Sequence, residues 1–331
     1  MSEASTHALA TRRLARAALE VTVIGFGGAA PGNFWQARSD EEAAADLAAA
    51  WDGGIRYFDT APHYGLGLSE RRVGAALRDR PRNEFILSTK VGRLLEPNPA
   101  PTGSDLTEGG FDVPDDLHRV RDYSADGVRR SLEASLERLG ADRIDIVLVH
   151  DPDDYVDQAI TEAIPALVSL REQGVIGAVG VGMNQWRAPL RAVDETDVDV
   201  VMIAGRWTLA DRTAQPLLDR CAERGVAVLA AAPFNSGLLA RPRPAADATF
   251  NYEPAPRPML ERARALADVC DSAGISLPHA ALQFPLRHPA VASVVVGLST
   301  SPQVDAAIEH MQAPIDDEVW DRLDAVVLGG Q

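Results

Sequence analysis

The chain has 331 residues, 46% of them apolar, and sets 32 basic against 48 acidic side chains for a formal net charge of −16. This length suits a single domain over residues 1–331 with a sizeable core. The acidic balance excludes nucleic acid or an anionic membrane surface as the main partner, because phosphate groups need a basic face.

Met1–Glu20 carries Arg12, Arg13 and Arg16 but no apolar run of signal-peptide length. No stretch approaches 18 consecutive apolar residues, so no membrane span is expected. Beyond this segment, short β-rich runs alternate with amphipathic helical stretches. The predicted strands are 23–27, 56–60, 85–91, 144–150, 178–182, 200–204, 226–231 and 292–297. Helical patterns fall between them at 39–51, 69–80, 125–139, 157–173, 187–196, 215–224 and 257–273, and 303–310 follows the last strand. Ser39-Asp40-Glu41-Glu42 opens the first helix with capping chemistry and acids in its first turn. Gly53 stops it, and Gly140, Gly174, Gly225 and Gly274 stop later ones. Two stretches read as loops: Gly92–Tyr123, with four prolines, and Ala240–Pro258. Cys221 and Cys270 lie in helical patterns, which fits buried thiols and a reducing cytoplasm better than a disulfide framework.

Eight β/α alternations fit an α/β fold of the (β/α)8 TIM-barrel type. A doubly wound sheet is the rival. It would place a Gly-rich phosphate turn between the first strand and its helix. Gly25-Phe26-Gly27-Gly28 does not complete that pattern and runs instead into Pro31, Asn33 and Trp35.

Lysine usage carries the sharpest signal. Of the 32 basic residues only Lys90 is lysine. Arginine stays charged and needs a broad planar site, whereas lysine is a compact point charge with a tunable pKa. Lys90 ends the third predicted strand. Asp59 ends the second, Tyr64 follows it, and His150 ends the fourth. A barrel gathers the carboxyl ends of neighbouring strands at one mouth, where its chemistry resides. A phenol can donate a proton to a developing alkoxide, but its ordinary pKa is about 10. A neighbouring ammonium lowers that value, a carboxylate keeps the ammonium charged, and an imidazole can bond the reacting oxygen.

At these residues the chain resembles the aldo-keto reductase family. Phe58-Asp59-Thr60-Ala61, Tyr64-Gly65, Ser69-Glu70, Ser88-Thr89-Lys90 and Leu148-Val149-His150 match its motifs in order and spacing, and the likeness continues through Gly180–Asn184 and Pro233–Leu239. The resemblance implies a barrel that binds a nicotinamide dinucleotide without a Rossmann domain. It implies Tyr64 as acid/base, Lys90 and Asp59 tuning it, His150 orienting substrate and Asn184 holding the carboxamide. It also puts Ser236 and Leu238 at the pyrophosphate, and Gly297, Leu298, Ser299 and Gln303 at the adenosine end. Three positions depart from the pattern. Met183 replaces the usual serine, Met202 the usual glutamine, and Ala231 the aromatic that stacks on nicotinamide, for which Phe234 is a substitute.

A narrower likeness runs through Val149–Asp154, Ala204–Leu209, Phe234–Leu239 and Ala281–Pro289. These segments resemble the bacterial branch that contains L-fucose and D-threo-aldose 1-dehydrogenases and pyridoxal 4-dehydrogenase. Oxidation of an aldose hemiacetal to its lactone is therefore the leading expectation. Pyridoxal oxidation and general aldehyde or ketone reduction are the alternatives, and a cofactor-binding regulatory subunit is the reading from another class. A metal-dependent hydrolase is disfavoured, because the seven histidines show no H-x-H or H-x-x-x-H spacing. A sugar or aldehyde would meet Trp35, His63, Trp186 and Trp207 as walls, and Asp151 and Arg206 as hydroxyl partners. NAD is preferred over NADP. A 2′-phosphate generally needs a cation, and no Arg or Lys lies between Val291 and Met311, although Arg241 and Arg243 follow the seventh strand.

Overall fold

The computed structural model describes residues 8–329. Residues 1–7, which begin the segment read for a signal peptide, and 330–331 lie outside the described residues, so the 1–331 domain reading extends past the described residues at both ends. Eight parallel strands close into a barrel in chain order. They are Ile24–Gly27, Tyr57–Asp59, Ile86–Val91, Ile144–His150, Ile176–Met183, Val200–Ala204, Ala227–Ala231 and Val291–Gly297. The eighth pairs with the first, Val294 opposite Ile24, and this contact shuts the cylinder. Each strand is buried on both faces, which is why the sequence shows unbroken Val, Ile and Leu runs rather than alternation. On the fourth strand Ile146 and Leu148 point into the barrel, while Val147 and Val149 point out to the helices.

Helices wrap the cylinder. The first, Asp40–Asp52, has the expected reciprocal cap: Glu42 N–H donates to Ser39 Oγ at 3.2 Å and Ser39 N–H to Glu42 Oε2 at 2.8 Å. The helix expected over 157–173 is interrupted. A wide π turn, Ala159–Ala163, sits between Val156–Gln158 and Ile164–Glu172. Pro165 supplies the reason, since it has no N–H to continue the ladder. Two helices were not anticipated, Leu277–Gln283 and Asp317–Leu328.

The predicted loops hold more order than their composition suggests. Within 92–123 an antiparallel hairpin pairs Arg93–Pro97 with Leu117–Arg121, and a smaller one within 240–258 pairs Thr249–Phe250 with Glu253–Pro254. A third hairpin, Thr11–Leu14 with Leu19–Thr22, precedes the barrel. Its Leu14, Ala17 and Val21 pack with Tyr57, Val200, Ala227 and Ala292, all at or near the amino ends of their strands, so it plugs that end of the cylinder. The opposite end carries the unusual backbone. Among the described residues, nine non-glycine residues have left-handed φ: Asn33, Trp35, Leu66, Asp151, Ala232, Asn235, Ser236, Asn251 and Tyr252. All nine follow carboxyl ends of barrel strands. Strain of this kind collects where a fold positions ligands.

Candidate active site

The second, third and fourth strands bring Asp59, Lys90 and His150 to the carboxyl end of the barrel, and the turn after the second adds Tyr64. Lys90 Nζ donates to Asp59 Oδ2 at 2.7 Å, to Thr60 O at 3.0 Å and to Tyr64 Oη at 2.9 Å. An ammonium has three protons, and each has its acceptor. A planar guanidinium would not fit three acceptors that converge on one point. Asp59 is fixed from its other side as well. Ser88 Oγ donates to Asp59 Oδ1 at 2.7 Å and lies 3.0 Å from Tyr57 Oη. Lys90 and Asp59 are each only 2% exposed, so this ion pair is a true interior one. The His150 ring stands perpendicular to that of Tyr64, at 5.9 Å between centroids, and His63 approaches His150 at 5.6 Å.

Burial sets the electrostatics. It works against the Lys90 charge, but Asp59 and Tyr64 outweigh it and the lysine pKa rises. For Tyr64 burial is again the largest effect. It raises the phenol above its ordinary value, and Lys90 pulls it down only in part. Lys90 lowers the phenol as expected, but burial outweighs it and the net shift is upward. Burial, then Arg93 and Lys90, pushes His150 well below its ordinary value. Burial, then Arg93 and Arg119, takes His63 down to about 2. Both imidazoles are neutral, and the Nδ1 of each is buried without a hydrogen-bond partner.

A depressed histidine pKa has a definite sign for stability. The unfolded chain takes up a proton near pH 6.5, while the folded chain refuses it until far lower pH. Stability is therefore present in full above about pH 6.5 and drains away below it, by about 1.4 kcal/mol per pH unit for each such group. His63→Leu is expected to remove one such increment from the pH slope of the unfolding free energy between about pH 4 and 5.5. Denaturant titrations of both proteins across that range measure it, and identical slopes would show that His63 takes up its proton in the folded state.

The mouth is roofed by residues from several loops. Phe111, on the loop between the strands of the 93–121 hairpin, meets His63 at 5.2 Å and Tyr64 at 5.9 Å between centroids. Phe34 touches Trp35, Phe111 and, edge-on at 5.7 Å, Tyr252. Arg119 grips Asp105 with two bonds and donates to His63 O at 2.9 Å, which ties the hairpin loop to the turn that carries Tyr64. Arg93 donates to Asp151 Oδ2 at 2.7 Å. None of Phe34, Arg93, Asp105, Phe111, Arg119 and Tyr252 was singled out from the sequence. For all but Phe34 the only signal was the length of the two loops; Phe34 lies between Asn33 and Trp35 on the loop after the first strand.

The residues expected to meet substrate divide. His63 and Asp151 stand at the mouth beside His150. Trp35 is 56% exposed at its rim. Arg206 donates to Asn251 Oδ1 at 2.7 Å and lines a cavity of about 210 Å³ with Asn184, Gly205, Ser236 and Tyr252. Trp186 packs on the outer core with Arg187 over its ring. Trp207 is a correction. It is 6% exposed, packs tilted against Phe284 and edge-on to His288, and donates to Pro285 O at 3.2 Å, so it is core rather than pocket wall. Sequence places a residue on a loop but does not say which way its ring turns.

The expected cofactor residues also divide. Asn184 and Ser236 open onto the cavity. Asn235, Ser236 and Gly237 run consecutively at φ 46, 57 and 98°, and a Cβ added at Gly237 or Gly297 would meet nothing within 4 Å. This bare backbone beside a polar cavity is a cradle into which a dinucleotide fits. Leu238 is corrected: it is fully buried and its amide is spent on Asn235 O at 3.2 Å, which leaves Ser236 as the available member of the pair. Leu298 is buried, and Ser299 donates from N–H and Oγ to Gln303 Oε1 at 2.9 and 3.0 Å. Met183 belongs to the outer core and Met202 to the barrel interior, while Phe234 packs on the outer core. Arg243 pairs with Asp268 at 2.8 Å, and Arg38, a cation the sequence reading did not count, pairs with Asp46, which accepts from Ser301 Oγ at 3.2 Å. Among the described residues no cluster of three or more His, Cys, Asp or Glu is placed to hold a metal, no helix is long and apolar enough to cross a membrane, and Cys221 and Cys270 are free and buried.

Comparison with known proteins identifies the family. The chain is 47% identical over 313 residues to D-threo-aldose 1-dehydrogenase from a Pseudomonas species, covering 93% of this chain and 95% of the relative. It is 38% identical over 330 residues to pyridoxal 4-dehydrogenase from Microbacterium luteolum, covering 94% and 96%. Among solved structures, the holo form of aldo-keto reductase AKR11C1 from Bacillus halodurans superposes with a TM-score of 0.79 at 28% identity over 96% of both chains. The family model for the aldo/keto reductases matches residues 23–328, and the chain belongs to that family of NAD(P)-dependent oxidoreductases.

Proposed function

We propose that this oxidoreductase acts on an aldose, oxidising the hemiacetal carbon to a lactone, with Tyr64 as the acid/base group and NAD as the preferred cofactor. The observation that carries the reading is the Asp59–Lys90–Tyr64 chain, which ends beside a neutral His150 at a mouth lined by polar and aromatic side chains. Likeness to an aldose 1-dehydrogenase over nearly the whole chain supports the substrate class. Bound nicotinamide supplies hydride exchange. The protein's own part is proton handling and positioning. In the oxidative direction Tyr64 acts as the base: as the phenolate, the form Lys90 favours, it takes the hydroxyl proton, while His150 hydrogen-bonds the reacting oxygen and Lys90 holds the phenol oxygen in place. Asn184 is the residue for the carboxamide and Ser236 for the pyrophosphate. A second reading, reduction of an aldehyde by the same groups, draws support from the raised pKa of Tyr64, which suits a proton donor.

The cofactor preference rests on charge. Ser299 and Gln303 bond each other where a phosphate-binding cation would stand, and Arg38, close by through Asp46 and Ser301, is already paired with that aspartate. The test is a panel of aldoses, pyridoxal and simple aldehydes with NAD, NADP and their reduced forms, read by nicotinamide absorbance. The highest kcat/KM is expected for an aldose with NAD. A tenfold advantage for pyridoxal or a plain aldehyde overturns the substrate class, and a tenfold advantage for NADP, about 1.4 kcal/mol, overturns the cofactor preference.

A further inference from the structure

Three ion pairs ring His63 and His150: Lys90–Asp59 at 2.7 Å, Arg93–Asp151 at 2.7 Å and Arg119–Asp105 at 2.5 Å. Each cation already has its carboxylate, so this ring presents no unspent positive charge to a substrate carboxylate or phosphate. A neutral substrate fits it best.

The three carboxylates are not equivalent. Asp59 is bonded through both oxygens, to Ser88 and Lys90, and Asp105 through both, to Arg119. Asp151 has only Oδ2 engaged, by Arg93, with His150 Nε2 at 3.5 Å. Its Oδ1 has no hydrogen-bond partner among the described residues. That oxygen is not a sealed orphan, because the side chain is 18% exposed at the mouth. The residue is also held rigidly. Its N–H donates to Gly182 O at 3.0 Å, its carbonyl accepts from Tyr123 Oη at 2.9 Å, and its φ is 40°. Arg93 is aimed by Gly92, whose φ of 102° and packing on Tyr123, 2.2 Å from a Cβ placed there, leave room for glycine alone.

We infer that Asp151 Oδ1, positioned by Arg93, accepts a hydrogen bond from the hydroxyl on the carbon next to the reacting carbon, and so makes the enzyme selective for neutral α-hydroxylated substrates. The inference rests on the aldose reading for its natural substrate but not for its geometry. With His150 Nε2 as the donor to the reacting oxygen, Asp151 Oδ2 lies 3.5 Å from that nitrogen, and Oδ1 is the unengaged oxygen of the same carboxylate. Oxygens on adjacent carbons of a polyol stand about one hydrogen-bond length apart. An oxygen on His150 therefore delivers its neighbour to Asp151. A substrate without that hydroxyl displaces water from Oδ1 and returns nothing, which is how a polar site rejects a deoxy analogue.

The experiment uses two substrate pairs that differ by this hydroxyl: an aldose and its 2-deoxy counterpart, oxidised with NAD, and glycolaldehyde and acetaldehyde, reduced with NADH. The readout is the ratio of kcat/KM within each pair, for wild type, Asp151→Gly and Arg93→Met. Glycine keeps the left-handed backbone without strain. Wild type is expected to favour the hydroxylated member by roughly 10- to 100-fold, the worth of a hydrogen bond to a charged group. Asp151→Gly is expected to bring the ratio close to one and Arg93→Met to lower it part of the way. A ratio near one in wild type, or a wild-type ratio that survives Asp151→Gly while both rates fall, overturns the inference. If the aldose pair is not turned over but the aldehyde pair shows the expected pattern, the aldose reading fails and the role of Asp151 stands.

Discussion

Tyr64→Phe lowers turnover by roughly 10²- to 10⁴-fold, the range for loss of a general acid–base group. The ring stays where Phe111 and His150 pack on it, so only the hydroxyl is lost. The proposed nucleotide cradle, on the loops after the fifth, seventh and eighth strands, is untouched by the change. The dissociation constant for NAD is therefore expected to stay within about threefold, an effect under 1 kcal/mol. Steady-state rates with the best substrate, together with a nucleotide titration, measure both quantities. Full turnover by the variant would take the proton away from Tyr64.

Lys90→Met has the largest expected effect on stability. It strands Asp59 in the interior with Ser88 as its remaining side-chain partner. Breaking a buried pair from one side typically costs about 3–5 kcal/mol, because the leftover charge has lost its compensation. Removing both charges with Asp59→Asn and Lys90→Met is expected to recover most of that loss, although not activity. The raised pKa of Lys90 fixes the pH window. Its contribution is fully present below the unfolded lysine value of about 10.4 and fades as pH rises through the higher folded value. The deficit of the single variant should thus hold steady from neutral pH to about pH 9 and shrink in strong alkali. Denaturant unfolding at several pH values tests this, and a single variant that matches wild type in midpoint would contradict the buried pair.

The barrel was legible because its strands are buried on both sides, so the sequence must spell them in β-branched runs. The fourth and sixth strands were read to the residue. The amino-terminal hairpin was not legible. Thr11–Leu14 and Leu19–Thr22 are short, rich in charge and buried on one side of a plug, and they show no alternation long enough to register. The lysine, aspartate, tyrosine and histidine at the mouth were legible for a related reason. Each ends or follows a recognisable strand, and a closed parallel barrel leaves little freedom about where such ends meet. Arg93 and Arg119 fall at the two ends of a loop stretch whose hairpin pairing depends on contacts 28 residues apart, Arg93 with Arg121. Such pairings leave no local pattern. Trp207 failed for a different reason, since whether a loop aromatic faces substrate or core depends on which neighbour holds its ring nitrogen, here Pro285.

The single lysine has a practical corollary for handling this protein. Acylating and reductive-methylating reagents find one ε-amine in the chain, and folding encloses it between Asp59, Thr60 and Tyr64. Its labelling must wait for the barrel to open. The extent of modification at Lys90 is therefore a built-in clock for opening of the catalytic end, readable by mass on one peptide without engineering any reporter into the sequence.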